Sequence, residues 1–190
     1  MAVALALGAA PALAGHTGVG GVGGYPVFVP QLAPTPAPGV AATASTTTET
    51  AAQIMAEANR ICAELGPFMV DCLAERLEQA ARSMAPTGPT AEARAILESA
   101  ARDMAALARG SADRTRTPGR VRAGDRVIST RPIVAVDPAR QDETAAAAAN
   151  IMQNAETLLL RSSTGSQARR AQYQRLAAVA GSTKVLLRST

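Results

Sequence analysis

From Thr46 onward the apolar residues recur every three or four positions, and alanine is the commonest of them. This pattern limits the fold more than any other feature. A stripe of that period belongs on one face of an α-helix. Alanine has the highest helix propensity and lets backbones approach closely. Ala51, Ile54, Met55, Ala58, Ile61, Cys62 and Leu65 share one face, with Glu57, Arg60 and Glu64 on the other. The stripe returns at Met69, Cys72, Leu73, Leu77, Ala80 and Met84, then at Ala93, Ile96, Leu97, Ala101 and Met104. It returns again at Ala148, Ile151, Met152, Ala155, Leu158 and Leu159, and last at Tyr173, Leu176, Ala177 and Ala180.

Helix-breaking residues separate these runs. Gly66 suits a helix end and Pro67 the start of the next helix. Pro86, Gly88 and Pro89, then Gly110, Gly165 and Gly181, mark further breaks. Asp137 has the character of an N-cap, with Pro138 at the first helical position. The reading is all-α: an antiparallel helical bundle of about five helices, at about 47–65, 67–85, 90–109, 138–162 and 166–180. Lys184–Arg188 is read as a final turn packing on the core. Aromatic residues make up 2% of the chain and Trp is absent. A core this poor in large side chains buries little area per residue, so modest stability or help from a partner is expected.

Residues 111–136 depart from the helical pattern. They hold Arg114, Arg116, Arg120, Arg122, Arg126 and Arg131, two prolines, and β-branched residues toward the end. Arg131–Val136 is a candidate strand, with Arg120–Arg122 or Arg126–Thr130 as its available partners. The expectation is a long basic extended crossover lying on the bundle. Connections of this length are generally functional or disordered.

Charge is unevenly shared. Residues 1–109 carry six Arg against nine acids, a balance of −3; residues 110–190 carry twelve Arg and Lys184 against six acids, a balance of +7. A basic half attracts anions. The six crossover arginines are therefore the candidate anion-binding residues, with Arg169, Arg170 and Arg175 as a second cluster. Specific nucleic-acid binding is not expected, because the crossover lacks the aromatic residues that stack on bases.

The chain begins MAVALALGAAPALA, an apolar run closing on Ala12-Leu13-Ala14. That is the apolar core and cleavage pattern of a secretory signal peptide, read as 1–14. No Lys or Arg precedes the run, so a truncated or misassigned start is part of the expectation. The run is too short to span a bilayer, and no later segment is apolar for long enough. Residues 15–45 pass from Gly-rich to Pro-rich to Ala/Thr-rich and read as a flexible linker, within which Tyr25–Pro30 is an extended stretch. The expected location is periplasmic or extracellular, with 46–190 as the helical domain.

Cys62 and Cys72 are the two cysteines, and His16 is the one histidine. Structural zinc requires four ligands in close pairs, and thioredoxin-like chemistry requires C-x-x-C, so neither fits. The C-x9-C spacing resembles one unit of the twin C-x9-C helical-hairpin proteins. Those carry two units and this chain one, so that family's bridging pattern is not carried over. If the chain reverses at Gly66-Pro67, the cysteines come level on facing stripes, about 5.5–6 Å apart at Cα as a disulfide needs. If one straight helix runs through, they stand about 15 Å apart. Two free buried thiols are the alternative.

No nucleophile elbow is present, and Glu75 with Glu78, or Asp142 with Glu143, read as solvated faces and helix-dipole partners rather than catalytic pairs. No cofactor is implied. The functional expectation is an exported, non-catalytic interaction or scaffold protein with a protein partner of unknown identity. The alternative is binding of an anionic surface, such as acidic lipid, polysaccharide or protein, through the Arg-rich crossover.

Overall fold

The computed structural model describes residues 38–189. The expected signal peptide at 1–14, His16 and the Tyr25–Pro30 stretch lie outside the described residues. Five α-helices dominate what is described: α1 Pro38–Ala63, α2 Met69–Arg82, α3 Ala91–Gly110, α4 Gln141–Arg161 and α5 Gln167–Arg188. The all-α reading stands.

Successive helices pack antiparallel. Arg76 near the middle of α2 bonds Glu57 of α1, and Arg94 at the start of α3 donates to the carbonyl of Met84 just past the end of α2. Ser162 beyond α4 donates to Glu92 at the start of α3 (2.6 Å), and Lys184 of α5 pairs with Glu156 of α4 (2.6 Å). α5 then closes the ring against α1 and runs parallel to it. Arg175 pairs with Glu49, and Thr183 donates to Asn59, so numbers rise together along both helices. The core between them is filled by alanines, Met55, Leu73, Leu97, Met104, Met152, Leu159, Leu176 and one buried aromatic, Tyr173.

Three local features differ from the sequence reading. α1 begins at Pro38 rather than near residue 47, so the end of the expected linker at 15–45 is helical. The threonines that follow keep their hydroxyls satisfied inside the helix: Thr47 and Thr48 donate to the carbonyl of Ala44, and Thr50 to that of Thr46. α5 continues through Gly181 to Arg188, so Lys184–Arg188 is helix and not a separate turn. Gly181 lies where α4 passes closely; a Cβ there would stand 3.0 Å from Glu156 Oε1. Asp137 does cap, accepting from the Ala139 N–H (2.9 Å), but it caps a 3-10 turn, Pro138–Arg140, that leads into α4.

The crossover is a long, irregular hairpin. Its limbs are bridged at the base by Ala112 and Val136 and midway by Gly119 and Ile133. At the tip, β1 (Arg122–Ala123) pairs antiparallel with β2 (Arg126–Val127) around Gly124, whose φ is +58°. Arg131–Val136 is therefore not a continuous strand. Pro132 has no N–H to offer, and the amides of Thr130 and Val134 bond carboxylates of α2 instead of a neighbouring strand.

Candidate functional site

The reversal between α1 and α2 sets the geometry of the site. Gly66 adopts φ +51° and opens a 3-10 turn, Gly66–Phe68, with Pro67 inside it. The turn brings Cys62 and Cys72 together on facing buried stripes, joined as a disulfide with Cα atoms 5.7 Å apart. It also turns the Pro67 carbonyl outward, where it accepts the Val136 N–H (2.8 Å) and ties down the foot of the returning limb.

From that foot the limb runs along α2 in the opposite direction, over a face that is polar in sequence and buried in structure. Asp71 is 0% exposed and accepts from both Arg131 amino groups (2.9 and 2.6 Å) and from the Val134 N–H (2.8 Å). One turn on, Glu75 is also 0% exposed. Its Oε1 accepts from the Thr130 N–H (2.7 Å), the Thr130 hydroxyl (2.9 Å) and Gln79 (2.6 Å). Its Oε2 is buried without a hydrogen-bond partner in the protein. Arg76 joins Glu57 on α1 (2.9 Å), Gln79 (2.8 Å) and the Ile128 carbonyl (3.4 Å), which Gln79 also reaches (2.9 Å).

These contacts correct the reading of Glu75 as part of a solvated face. Nothing in the sequence distinguishes Asp71 and Arg76 from ordinary solvated helix residues. A buried carboxylate is tolerable only when charge-paired and hydrogen-bonded. Arg131 supplies the charge for Asp71, and the Asp71 hydrogen bonds are the chief reason the Arg131 pKa is raised. The sequence did carry one trace of this arrangement. Acids at 71, 75 and 78 sit one turn apart in the acidic half, and a basic segment must pack somewhere.

The six candidate arginines have different fates. Arg131 pairs with Asp71 and also donates to the Pro132 carbonyl (3.0 Å). Arg116 lies 3.4 Å from Asp113. Thr115, through its hydroxyl and its N–H, holds the Asp113 carboxyl below its ordinary pKa. Arg120 donates to the Ser129 and Thr130 carbonyls (3.2 Å each), and Arg122 to that of Asp125 (2.9 Å). These bonds hold the hairpin limbs without neutralising either charge. Arg114 and Arg126 are exposed and have no side-chain partner among the described residues. The second cluster is dispersed. Arg169 pairs with Glu92 and lies over the Tyr173 ring, Arg175 pairs with Glu49, and Arg170 makes a long bond to the Gly165 carbonyl.

Arg131 also faces a groove of about 230 Å³ that it shares with Glu78, Ala101, Arg102, Ala105 and Arg109. In the sequence Arg102 and Arg109 have the character of ordinary exposed helix residues. Among the described residues no group of three or more His, Cys, Asp or Glu is placed to hold a metal ion, and no helix is long and apolar enough to cross a membrane.

Among the described residues, the fold and this docked hairpin define an all-α, disulfide-linked bundle of five helices. Comparison with known protein families, with curated proteins and with solved structures returns no significant match.

Proposed function

We propose that the chain is an exported, non-catalytic binding protein that presents the hairpin at 111–136 to a protein partner. The observation that carries this reading is how the hairpin is held. α3 and α4 are antiparallel neighbours, and about 2–8 residues suffice to join such helices. Here the chain instead extends a long hairpin over α2 and fixes it with Asp71, Glu75 and Arg76. Burying charge is an expensive way to gain stability and is better suited to fixing one geometry. Export is supported by the Cys62–Cys72 bond, which persists in an oxidising compartment, and by the apolar run ending in Ala12-Leu13-Ala14. The absence of catalysis is supported by the role of the buried carboxylates, which are occupied in holding the crossover.

The test places a photo-crosslinker at Val127, which is exposed at the hairpin tip, in protein produced in its native host. A control carries it at the exposed Ser182 on α5. Specific adducts from position 127 and none from position 182 are expected, and in a separate retention assay without the crosslinker Val127→Asp should lose the partner. Equal adducts from both positions would overturn the reading.

A second reading, engagement of an anionic surface, is favoured by the unneutralised charges of Arg114, Arg120, Arg122 and Arg126. Retention on anionic vesicles would then fall with added salt and be lost in Arg114→Ala/Arg122→Ala/Arg126→Ala. Salt-independent retention would refute it.

A further inference from the structure

We propose that the groove between α2, α3 and the returning limb binds a tetrahedral oxyanion, a phosphate or sulfate group. Its floor is made of Ala101 and Ala105, both buried, and its walls include the side chains of Arg102, Arg109 and Arg131. Residues seven apart on a helix share a face and stand about 10 Å apart along the axis. Ala105 lies between the two α3 arginines and leaves open the space that a longer side chain would fill.

Exposed arginines alone define nothing, since water satisfies them. What distinguishes this groove is the third arginine. Neither the Arg102 nor the Arg109 side chain has a hydrogen-bond or ion-pair partner among the described residues, whereas the Arg131 guanidinium is held by two bonds to Asp71 and one to the Pro132 carbonyl, which leave two of its five N–H groups free. A donor already held in place loses little freedom on binding, and guanidinium forks match the oxygen geometry of phosphate and sulfate. The volume of about 230 Å³ accommodates such a group together with several waters.

Acids limit the affinity. Glu78 faces the groove, with its carboxylate paired to Arg82, and Asp71 and Glu75 lie behind Arg131. The net attraction therefore comes from Arg102 and Arg109, while Arg131 orients the anion. The site depends on the crossover being docked but not on the hairpin tip, so it stands or falls independently of the partner-binding reading.

The test is titration of the disulfide-bonded protein with inorganic phosphate and with sulfate, against sodium chloride at matched ionic strength. Arginine side-chain N–H signals are followed by NMR. Saturable shifts at Arg102, Arg109 and Arg131 are expected. Arg102→Ala/Arg109→Ala should weaken binding at least about tenfold, given the strength of charge-assisted bonds. Glu78→Gln should tighten it several-fold by removing a like charge. Arg114→Ala/Arg122→Ala/Arg126→Ala should bind as the wild type does. Vesicles containing phosphatidic acid separate the sources. Retention that is lost in Arg102→Ala/Arg109→Ala assigns the group to lipid, and binding of the free ion without vesicle retention assigns it to a soluble ligand. Shifts no larger than those with chloride, or wild-type affinity in Arg102→Ala/Arg109→Ala, would overturn the proposal.

Discussion

Replacing Arg131 by Met keeps most of the side-chain stem and removes the charge that Asp71 depends on. Asp71 is fully buried, so its carboxylate would retain only the Val134 N–H. Breaking a buried ion pair from one side typically costs 3–5 kcal/mol. Arg131 is 30% exposed, so water can enter the vacated space and screen part of the penalty. The expected loss is therefore about 2–3 kcal/mol, below the fully buried range. For a unit of this size that is a fall of about 5–10 °C in Tm.

Urea unfolding of the oxidised protein measures this loss directly. Amide exchange should show the Thr130 and Val134 N–H groups losing protection before those of α2. The companion variant Asp71→Asn/Arg131→Met removes both charges while leaving an oxygen to accept from Val134. It should recover most of the loss and cost about 1 kcal/mol, because no uncompensated charge remains. If Arg131→Met costs under about 0.5 kcal/mol, or if adding Asn at 71 recovers nothing, the docking of the crossover does not rest on buried charge.

Cys62→Ala/Cys72→Ala should lower stability by about 2–3 kcal/mol on the loop-entropy model, and intact-mass alkylation of the denatured wild type should find no free thiol. Gly66→Ala should cost about 1–2 kcal/mol in urea unfolding, since φ +51° is costly for an L-residue with a side chain even though the space around it is open. Tyr173→Phe should cost about 1 kcal/mol, because the Tyr173 hydroxyl accepts the Ala93 N–H in the first turn of α3 and donates to the Pro89 carbonyl. The Asp113 carboxyl should titrate below 3.8 by NMR, and Thr115→Val should raise its midpoint. Because its folded pKa is depressed, its contribution to stability is present above the unfolded value and is lost as pH falls through the folded one.

The helical core was legible because its signal is local. Alanine-rich stripes at helical period and Gly/Pro breaks state where helices run, and Gly66-Pro67 with cysteines on both flanking stripes states how the first two meet. The outer face of α2 was not legible. Asp71, Glu75 and Arg76 have the spacing of a solvated face, and what buries them arrives from residues 128–136, far along the chain. The charge imbalance pointed outward to an anionic ligand. In the structure, Arg131–Asp71, Arg169–Glu92 and Arg175–Glu49 each join the basic half to the acidic half, so part of the imbalance is internal cohesion. Arg102 and Arg109 gave no signal because only the docked crossover turns their face of α3 into one wall of a groove.

The carboxylates beneath the hairpin also bear on the order in which the molecule assembles. Contacts between α1 and α2 close a short loop and can form early, whereas those joining α2 to the crossover span more than fifty residues and come at a greater entropic cost. With the crossover undocked, Asp71 and Glu75 would face water on that side of α2, and docking is what removes them from it.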